Sequence, residues 1–85
     1  MPRAVIPTAM PKPQSLSDAQ VLAAFIRAAR TQTGMGIHEA AAFCGVSVST
    51  LSKLEQGKGD VRLSSVLQVC RMLGVTITLA ARGDE

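Results

Sequence analysis

Residues 37–57, IHEAAAFCGVSVSTLSKLEQG, contain the pattern that decides the fold. Apolar side chains recur with the helical period on both sides of Gly45, and Ser47 is placed to cap the segment that follows. Glycine tolerates the left-handed backbone that the end of a helix favours, so Gly45 ends the first segment. The sequence therefore predicts a helix over about 37–44, a tight turn, and a second helix over about 48–56.

Two more helices are predicted around this pair. The stretch LSDAQV at residues 16–21 begins the first helix of the chain, with Ser17 as its N-cap and Gln20 three residues later. Its apolar period continues to about residue 31. The same period returns over residues 63–73 and predicts the fourth helix. Four helices in one small domain predict a mainly α fold.

Domain limits follow from the composition of the two ends of the chain. Residues 16–74 form the predicted helical domain. Residues 1–15 contain all four prolines and are predicted to be a flexible, irregular arm. Arg3 and Lys12 in that arm are candidates for contact with a DNA minor groove, and a solvated leader is the alternative. Residues 82–85 form a short tail.

Residues 75–81 alternate apolar and polar side chains, which is the period of a half-buried strand. The unpaired backbone groups of a lone strand are costly once its apolar face is buried, so a partner strand is expected. Antiparallel pairing with the same strand of a second subunit is self-complementary about a twofold axis. Pairing with residues 4–6 of the same chain is the alternative. The predicted dimer-interface residues are Val75, Thr76, Ile77, Thr78 and Leu79.

Length and composition limit the classes of function. A chain of 85 residues is one domain, and its formal charge of +3 suits nucleic acid without being polybasic. Cys44 and Cys70 fall on apolar helix faces and are predicted to be reduced core residues. His38 is the only histidine, so neither a metal nor another cofactor is predicted, and the chain has no paired acids or activated nucleophile that would suggest an enzyme. The sequence has no membrane-length apolar run and no signal-peptide pattern, which predicts a cytoplasmic protein.

Two short helices joined by a turn correspond to the helix-turn-helix arrangement, whose second helix lies in the DNA major groove. The outward face of that helix is predicted to carry Val48, Ser49, Ser52 and Lys53. A valine can contact a thymine methyl group, a serine can bond several base edges, and a lysine can reach guanine or a phosphate. An ordinary solvated helix face is the alternative.

The segment GVSVSTLSKLEQG closely resembles the recognition-helix motif of the Cro/phage-repressor (XRE) helix-turn-helix family, and the resemblance covers residues 22–75. It implies a lambda-repressor-like fold in which Arg30 and Glu55 form a structural clamp. The positions that match the family are Ile26, Arg30, Gly34, Ala41, Gly45, Val46, Ser47, Leu51, Glu55 and Gly57. The resemblance further implies base contacts from Val48, Ser49 and Lys53 and phosphate contacts from Ser47, Thr50 and Ser52. His38 and Lys58 complete the predicted DNA-contacting set.

One departure from the family pattern concerns the start of the second helix. The family usually has Thr-Gln there, where this chain has Gly36-Ile37. The N-cap is therefore weaker and the glutamine contact is absent, with His38 as a partial substitute or an ordinary exposed residue. This departure predicts modest affinity for each DNA half-site, or a role in which DNA is not the only partner.

The string VRLSSVLQVCRMLGVTITL at residues 61–79 is similar to the end of HipB-type antitoxins, in which the fourth helix leads into one carboxy-terminal strand that pairs across a dimer. This resemblance implies a homodimeric repressor of palindromic operator DNA that is the antitoxin of a toxin–antitoxin pair. Its protein partner would be a HipA-like Ser/Thr kinase toxin, with the surfaces around Arg27 and Phe43 as candidate contacts. The alternatives are a free-standing regulator without a toxin and a protein-interaction module with little DNA binding.

Overall fold

The computed structural model describes residues 4–58 and 60–83. The described residues form four helices, which are α1 Ala19–Thr33, α2 Ile37–Cys44, α3 Val48–Gln56 and α4 Leu63–Leu73. The predicted bounds of α2, α3 and α4 are confirmed, and α1 extends two residues beyond its predicted end. The four-helix, mainly α architecture is therefore as predicted.

The N-cap of α1 is Asp18, so the prediction of Ser17 is wrong by one residue. Asp18 Oδ1 accepts hydrogen bonds from the backbone N–H groups of Gln20 at 2.9 Å and Val21 at 3.2 Å. A carboxylate at this end of a helix is also favoured by the helix dipole. The Gln20 side chain does not complete a capping box, because its Nε2 donates to the carbonyl oxygen of Gln56 at 3.1 Å. This bond joins the first turn of α1 to the end of α3.

Small and aliphatic side chains from all four helices form the core. Alanines on α2 allow the backbone of that helix to approach its neighbours, and Leu51 and Leu54 anchor α3. The buried cluster consists of Ile26, Ala40, Ala41, Cys44, Leu51, Leu54, Val69 and Cys70. Because α3 is anchored along one face only, its other face is left at the surface.

The turn between α2 and α3 requires glycine for two reasons. Gly45 has a φ of 73°, in the left-handed region. A Cβ atom at this position would lie 2.8 Å from Nε2 of Gln68 on α4, and that amide donates a hydrogen bond to the carbonyl oxygen of Cys44. The turn that sets the angle of α3 is thus held by α4.

The described part of the N-terminal arm is irregular, as predicted, and it lies against α1. The backbone N–H of Thr8 donates to Thr31 Oγ1 at 2.8 Å, and Gln32 Nε2 donates to the carbonyl oxygen of Thr8 at 2.7 Å. Lys12 is exposed, whereas Arg3 lies outside the described residues. The arm therefore has a defined contact with the last turn of α1.

Residues 75–80 have the predicted alternation but form no strand within the described part of this chain. Val75 and Ile77 pack against the core cluster. Thr76 and Thr78 are exposed. Among the described residues, no backbone hydrogen bond joins residues 4–6 to residues 75–79, so the predicted alternative of pairing within the chain is wrong. A strand that pairs only with a second subunit forms no ladder in a single chain. Residues 84 and 85 of the predicted tail lie outside the described residues.

Of the helices in this described structure, none is long and apolar enough to cross a membrane. Within residues 4–58 and 60–83, no group of three or more His, Cys, Asp and Glu side chains is arranged to hold a metal ion.

Candidate nucleic-acid interface

The start of α3 is ordered by its own N-cap. Ser47 Oγ accepts a hydrogen bond from the backbone N–H of Thr50 at 3.0 Å and donates to Thr50 Oγ1 at 2.9 Å. Both hydroxyls therefore lie beside the first turn of the helix, where the positive end of the helix dipole favours anions. This geometry suits the phosphate contacts predicted for the two residues.

The outward face of α3 is polar, with one departure from the prediction. Ser49 is exposed, and Ser52 and Lys53 are half-buried. Ser52 Oγ accepts a hydrogen bond from Gln56 Nε2 at 2.7 Å. Val48, which was predicted to point outward, is half-buried and packs against the core cluster. The valine therefore presents less surface to a base than the sequence pattern indicates.

Two further candidates for DNA contact lie near the two ends of the α2–turn–α3 segment. His38 is exposed in the first turn of α2, and Lys58 is exposed just after α3. The N-cap of α2 is Gly36, which makes no side-chain hydrogen bond. The start of α2 therefore has no side-chain cap, and its weakness remains a prediction.

Arg30 and Glu55 form a bidentate ion pair between α1 and α3. Arg30 Nε donates to Glu55 Oε2 at 2.6 Å, and Arg30 Nη2 donates to Glu55 Oε1 at 2.9 Å. Arg30 Nη1 also donates to the carbonyl oxygen of Met35 at 3.1 Å. The hydrogen bond to Glu55 raises the pKa of Arg30 against the opposing effect of burial. Because the two side chains are only 14% and 8% exposed, they present little surface to a ligand.

A polar concavity of about 320 Å³ lies between α3 and the start of α4. Its lining residues are Thr50, Lys53, Asp60, Val61, Arg62 and Ser65. Arg62 and Ser65 were not among the predicted site residues. Their place at the start of the helix that follows the predicted recognition helix was visible in the sequence, but their proximity to Lys53 was not.

The predicted dimer-interface residues lie apart from the predicted DNA-contacting residues. The segment from Val75 to Leu79 borders a groove of about 680 Å³, whose other wall is formed by the start of α1 and the preceding arm. The lining of this groove includes none of the predicted DNA-contacting side chains.

Both cysteines are free and buried, as predicted, and burial raises the pKa of the Cys44 and Cys70 thiols. The folded chain therefore disfavours the thiolates that the unfolded chain forms above the ordinary pKa of about 8.5. The contribution of these thiols to stability is fully present below that pH and is lost as the pH rises above it.

We accordingly expect the free energy of unfolding, measured in urea with a reductant, to be lower at pH 9.5 than at pH 7.5. The double variant Cys44→Ala, Cys70→Ala is the control and should show a smaller decrease over the same range. An equal decrease in the variant would assign the pH dependence to other groups.

Comparison with known proteins supports the architecture. The sequence profile of a family described as a helix-turn-helix domain matches residues 21–82. None of the curated proteins matches this chain. Among solved structures, a chain in the structure of a HipA-HipB-O2-O3 complex superimposes with a TM-score of 0.69 at 23% identity, covering 81% of this chain and 97% of that chain.

Two other solved structures extend the comparison. A chain in a HipB-O4 20mer complex has a TM-score of 0.68 at 23% identity, covering 81% of this chain and 97% of the other. A hypothetical transcription factor from Neisseria, NHTF, has a TM-score of 0.63 at 27% identity, with 80% of each chain covered. All of these chains have the same fold as this one.

Proposed function

Since this chain belongs to the helix-turn-helix domain family, we propose that it is a transcriptional repressor that binds palindromic operator DNA sequence-specifically as a homodimer. The resemblance to the Cro/phage-repressor family and the HipB-like fold are confirmed, and they support a DNA-binding regulator. The observation that carries the proposal is α3. This nine-residue helix is capped by Ser47, buried along Leu51 and Leu54, and polar on its outward face.

Contacts to DNA are proposed for the outward face of α3 and the residues near its ends. Ser49 and Lys53 are the main candidates for base contact, with a smaller part for Val48. Hydroxyl groups at the start and middle of the helix suit phosphate contacts, as do the exposed side chains beside it. The phosphate-contacting candidates are Ser47, Thr50, Ser52, His38 and Lys58. Arg30 and Glu55 are proposed to hold α3 at its angle as a structural clamp.

Dimerisation is proposed to occur through the segment from Val75 to Leu79. The groove beside this segment is bordered by apolar side chains of α1, including Leu22 and Phe25. Leu79 is 95% exposed, an unfavourable state for a leucine that a second subunit would relieve. A twofold axis through paired strands would also give two recognition helices, and half-sites about 34 Å apart would match them.

The finer proposal is that this repressor is the antitoxin of a HipBA-like system, acts in the cytoplasm and represses its own operon. It is supported by the fold shared with a chain of the HipA-HipB-O2-O3 complex. A HipA-like Ser/Thr kinase toxin would then be the protein partner. The exposed Arg27 and the 50% exposed Phe43 are the proposed contacts.

A second candidate function is a protein-interaction module with little affinity for DNA. The observation that favours it is Gly36, which leaves the start of α2 without a side-chain cap. A free-standing regulator without a toxin differs from the antitoxin only in its partner, and co-purification with a kinase encoded beside it would separate the two.

The test of the proposed function is a salt-dependent titration against the DNA upstream of the gene, with a scrambled duplex as control. The proposal expects preference for the upstream DNA and two chains bound at each site. Equal, weak and salt-sensitive binding to both duplexes would favour the protein-interaction module.

Lys53→Ala is expected to weaken binding to the upstream duplex by about 1–3 kcal/mol, because a lysine that contacts a base edge contributes that much discrimination. Fluorescence anisotropy on upstream and scrambled duplexes measures the effect, and the scrambled duplex should lose much less affinity. An equal loss on both duplexes, with a salt slope reduced by about one, would instead identify Lys53 as a phosphate contact.

A further inference from the structure

The concavity between α3 and α4 contains an acidic side chain among groups that suit phosphate. Lys53 and Arg62 supply positive charge, and Thr50 and Ser65 supply hydroxyl groups. Asp60 lines the same concavity, and its Oδ2 lies 3.9 Å from Nζ of Lys53. Because a carboxylate repels the phosphate backbone of DNA, its presence beside this lysine opposes binding to DNA in general.

We propose that Asp60 contributes to the sequence specificity of this protein by forming an ion pair with the ammonium group of Lys53 whenever no matching base is within reach. This inference rests on the proposed DNA-binding function. On DNA of arbitrary sequence, Lys53 stays paired with Asp60 and adds little to phosphate binding. On the operator, a hydrogen bond to a base edge replaces the ion pair, so Lys53 strengthens operator binding selectively.

The exposure of this ion pair suits such an exchange. The side chains of Lys53 and Asp60 are 43% and 78% exposed, and a single contact joins them. An exposed pair of this kind changes an equilibrium by about fivefold at most, whereas a good base contact discriminates by about five- to hundredfold. The base contact therefore outweighs the ion pair. A single exposed phosphate contact is itself an ion pair of about the same strength as the one it would replace, so it gives no net gain. The bidentate pair of Arg30 and Glu55 is 14% and 8% exposed and is not available for exchange.

Asp60→Asn tests the inference, because it removes the charge and keeps the size of the side chain. We expect the variant to bind a scrambled duplex about three- to fivefold more tightly at low salt. The slope of log affinity against log salt should steepen by about one. Affinity for the upstream duplex should rise by less, so that the ratio of the two affinities falls. Anisotropy titrations of the full chain at several salt concentrations give both quantities.

Asp18→Asn is the matched control. It changes the net charge by the same amount at the start of α1, and asparagine caps a helix as well as aspartate does. A gain on the scrambled duplex that is larger for Asp60→Asn than for Asp18→Asn supports the inference. Equal gains from both variants would assign the effect to net charge and overturn it. In a chain that prefers the upstream duplex, equal gains of Asp60→Asn on the two duplexes would also overturn it, because repulsion would then be uniform.

A second comparison tests whether Asp60 acts through Lys53. In the Lys53→Ala background, Asp60→Asn is expected to give a smaller gain on the scrambled duplex than it gives with the lysine present. An undiminished gain would overturn the exchange.

Failure of the proposed function is distinguishable from failure of this inference. If the wild-type chain prefers no sequence, the proposed repressor function fails. The scrambled-duplex comparisons still decide whether Asp60 restrains Lys53, because they require no operator.

Discussion

Glu55→Ala is expected to lower the free energy of unfolding by about 3 kcal/mol, because it leaves Arg30 charged, little exposed and without its partner. The pair makes two hydrogen bonds at 2.6 and 2.9 Å, and its side chains are 14% and 8% exposed. Truncation of Glu55 removes both of these bonds at once. Arg30 then keeps only its hydrogen bond to the carbonyl oxygen of Met35. Urea unfolding followed by circular dichroism measures the loss.

Two comparisons separate this explanation from a general effect of charge. Asp60→Ala breaks the exposed pair with Lys53 and should cost less than about 1 kcal/mol. The combined variant Arg30→Met, Glu55→Leu removes both charges together and should recover much of the stability that Glu55→Ala loses. If Glu55→Ala costs no more than Asp60→Ala, the clamp does not stabilise the fold.

The clamp also links stability to DNA binding, because Glu55 belongs to the same helix as Ser49 and Lys53. Small changes in the angle of α3 would move both of those side chains relative to the major groove of bound DNA. The combined variant is therefore the more informative one for DNA titration, since it is expected to recover stability without restoring the two hydrogen bonds between α1 and α3. A specific loss of affinity for the upstream duplex in that variant would support a positioning role.

Helix bounds could be predicted closely where a single glycine or serine decides them. Gly45 and Gly57 adopt left-handed φ values and end α2 and α3 at the predicted places. At the start of α1, two good N-cap residues are adjacent, and sequence alone does not decide between Ser17 and Asp18. The backbone decides, because Asp18 is the residue whose carboxylate reaches the N–H groups of Gln20 and Val21 in the first turn.

The candidate site was less predictable because it depends on packing between elements. Helical period predicts Val48 on the outward face of α3, yet its side chain packs against the core cluster and is half-buried. The positions of Asp60 and Arg62 relative to Lys53 depend on the path of the loop into α4. Such proximity between residues of different elements is a property of tertiary structure, so the spacing of residues along the chain did not indicate it.

Ile77→Lys is expected to convert the proposed dimer into monomers and to weaken binding to the upstream duplex by about a hundredfold or more, because two linked half-sites are lost. Ile77 borders the groove beside α1, and a lysine there would bring two like charges toward the twofold axis. Sedimentation velocity measures the mass. Because Ile77 also packs against the core, thermal unfolding must show that the variant is folded.

Leu79→Lys gives the same test without that risk, since Leu79 is 95% exposed in the single chain and contributes little to its packing. Thr78→Lys is the matched control and should remain dimeric, because Thr78 would contribute its backbone to the paired strands while its exposed side chain lies on the opposite face. A dimer that survives both Ile77→Lys and Leu79→Lys would contradict pairing through this segment. Monomers from Ile77→Lys and Leu79→Lys, with dimers from Thr78→Lys, would place the interface on the apolar face of residues 75–79. All three variants add the same charge at neighbouring positions, so only the face that carries the lysine would differ.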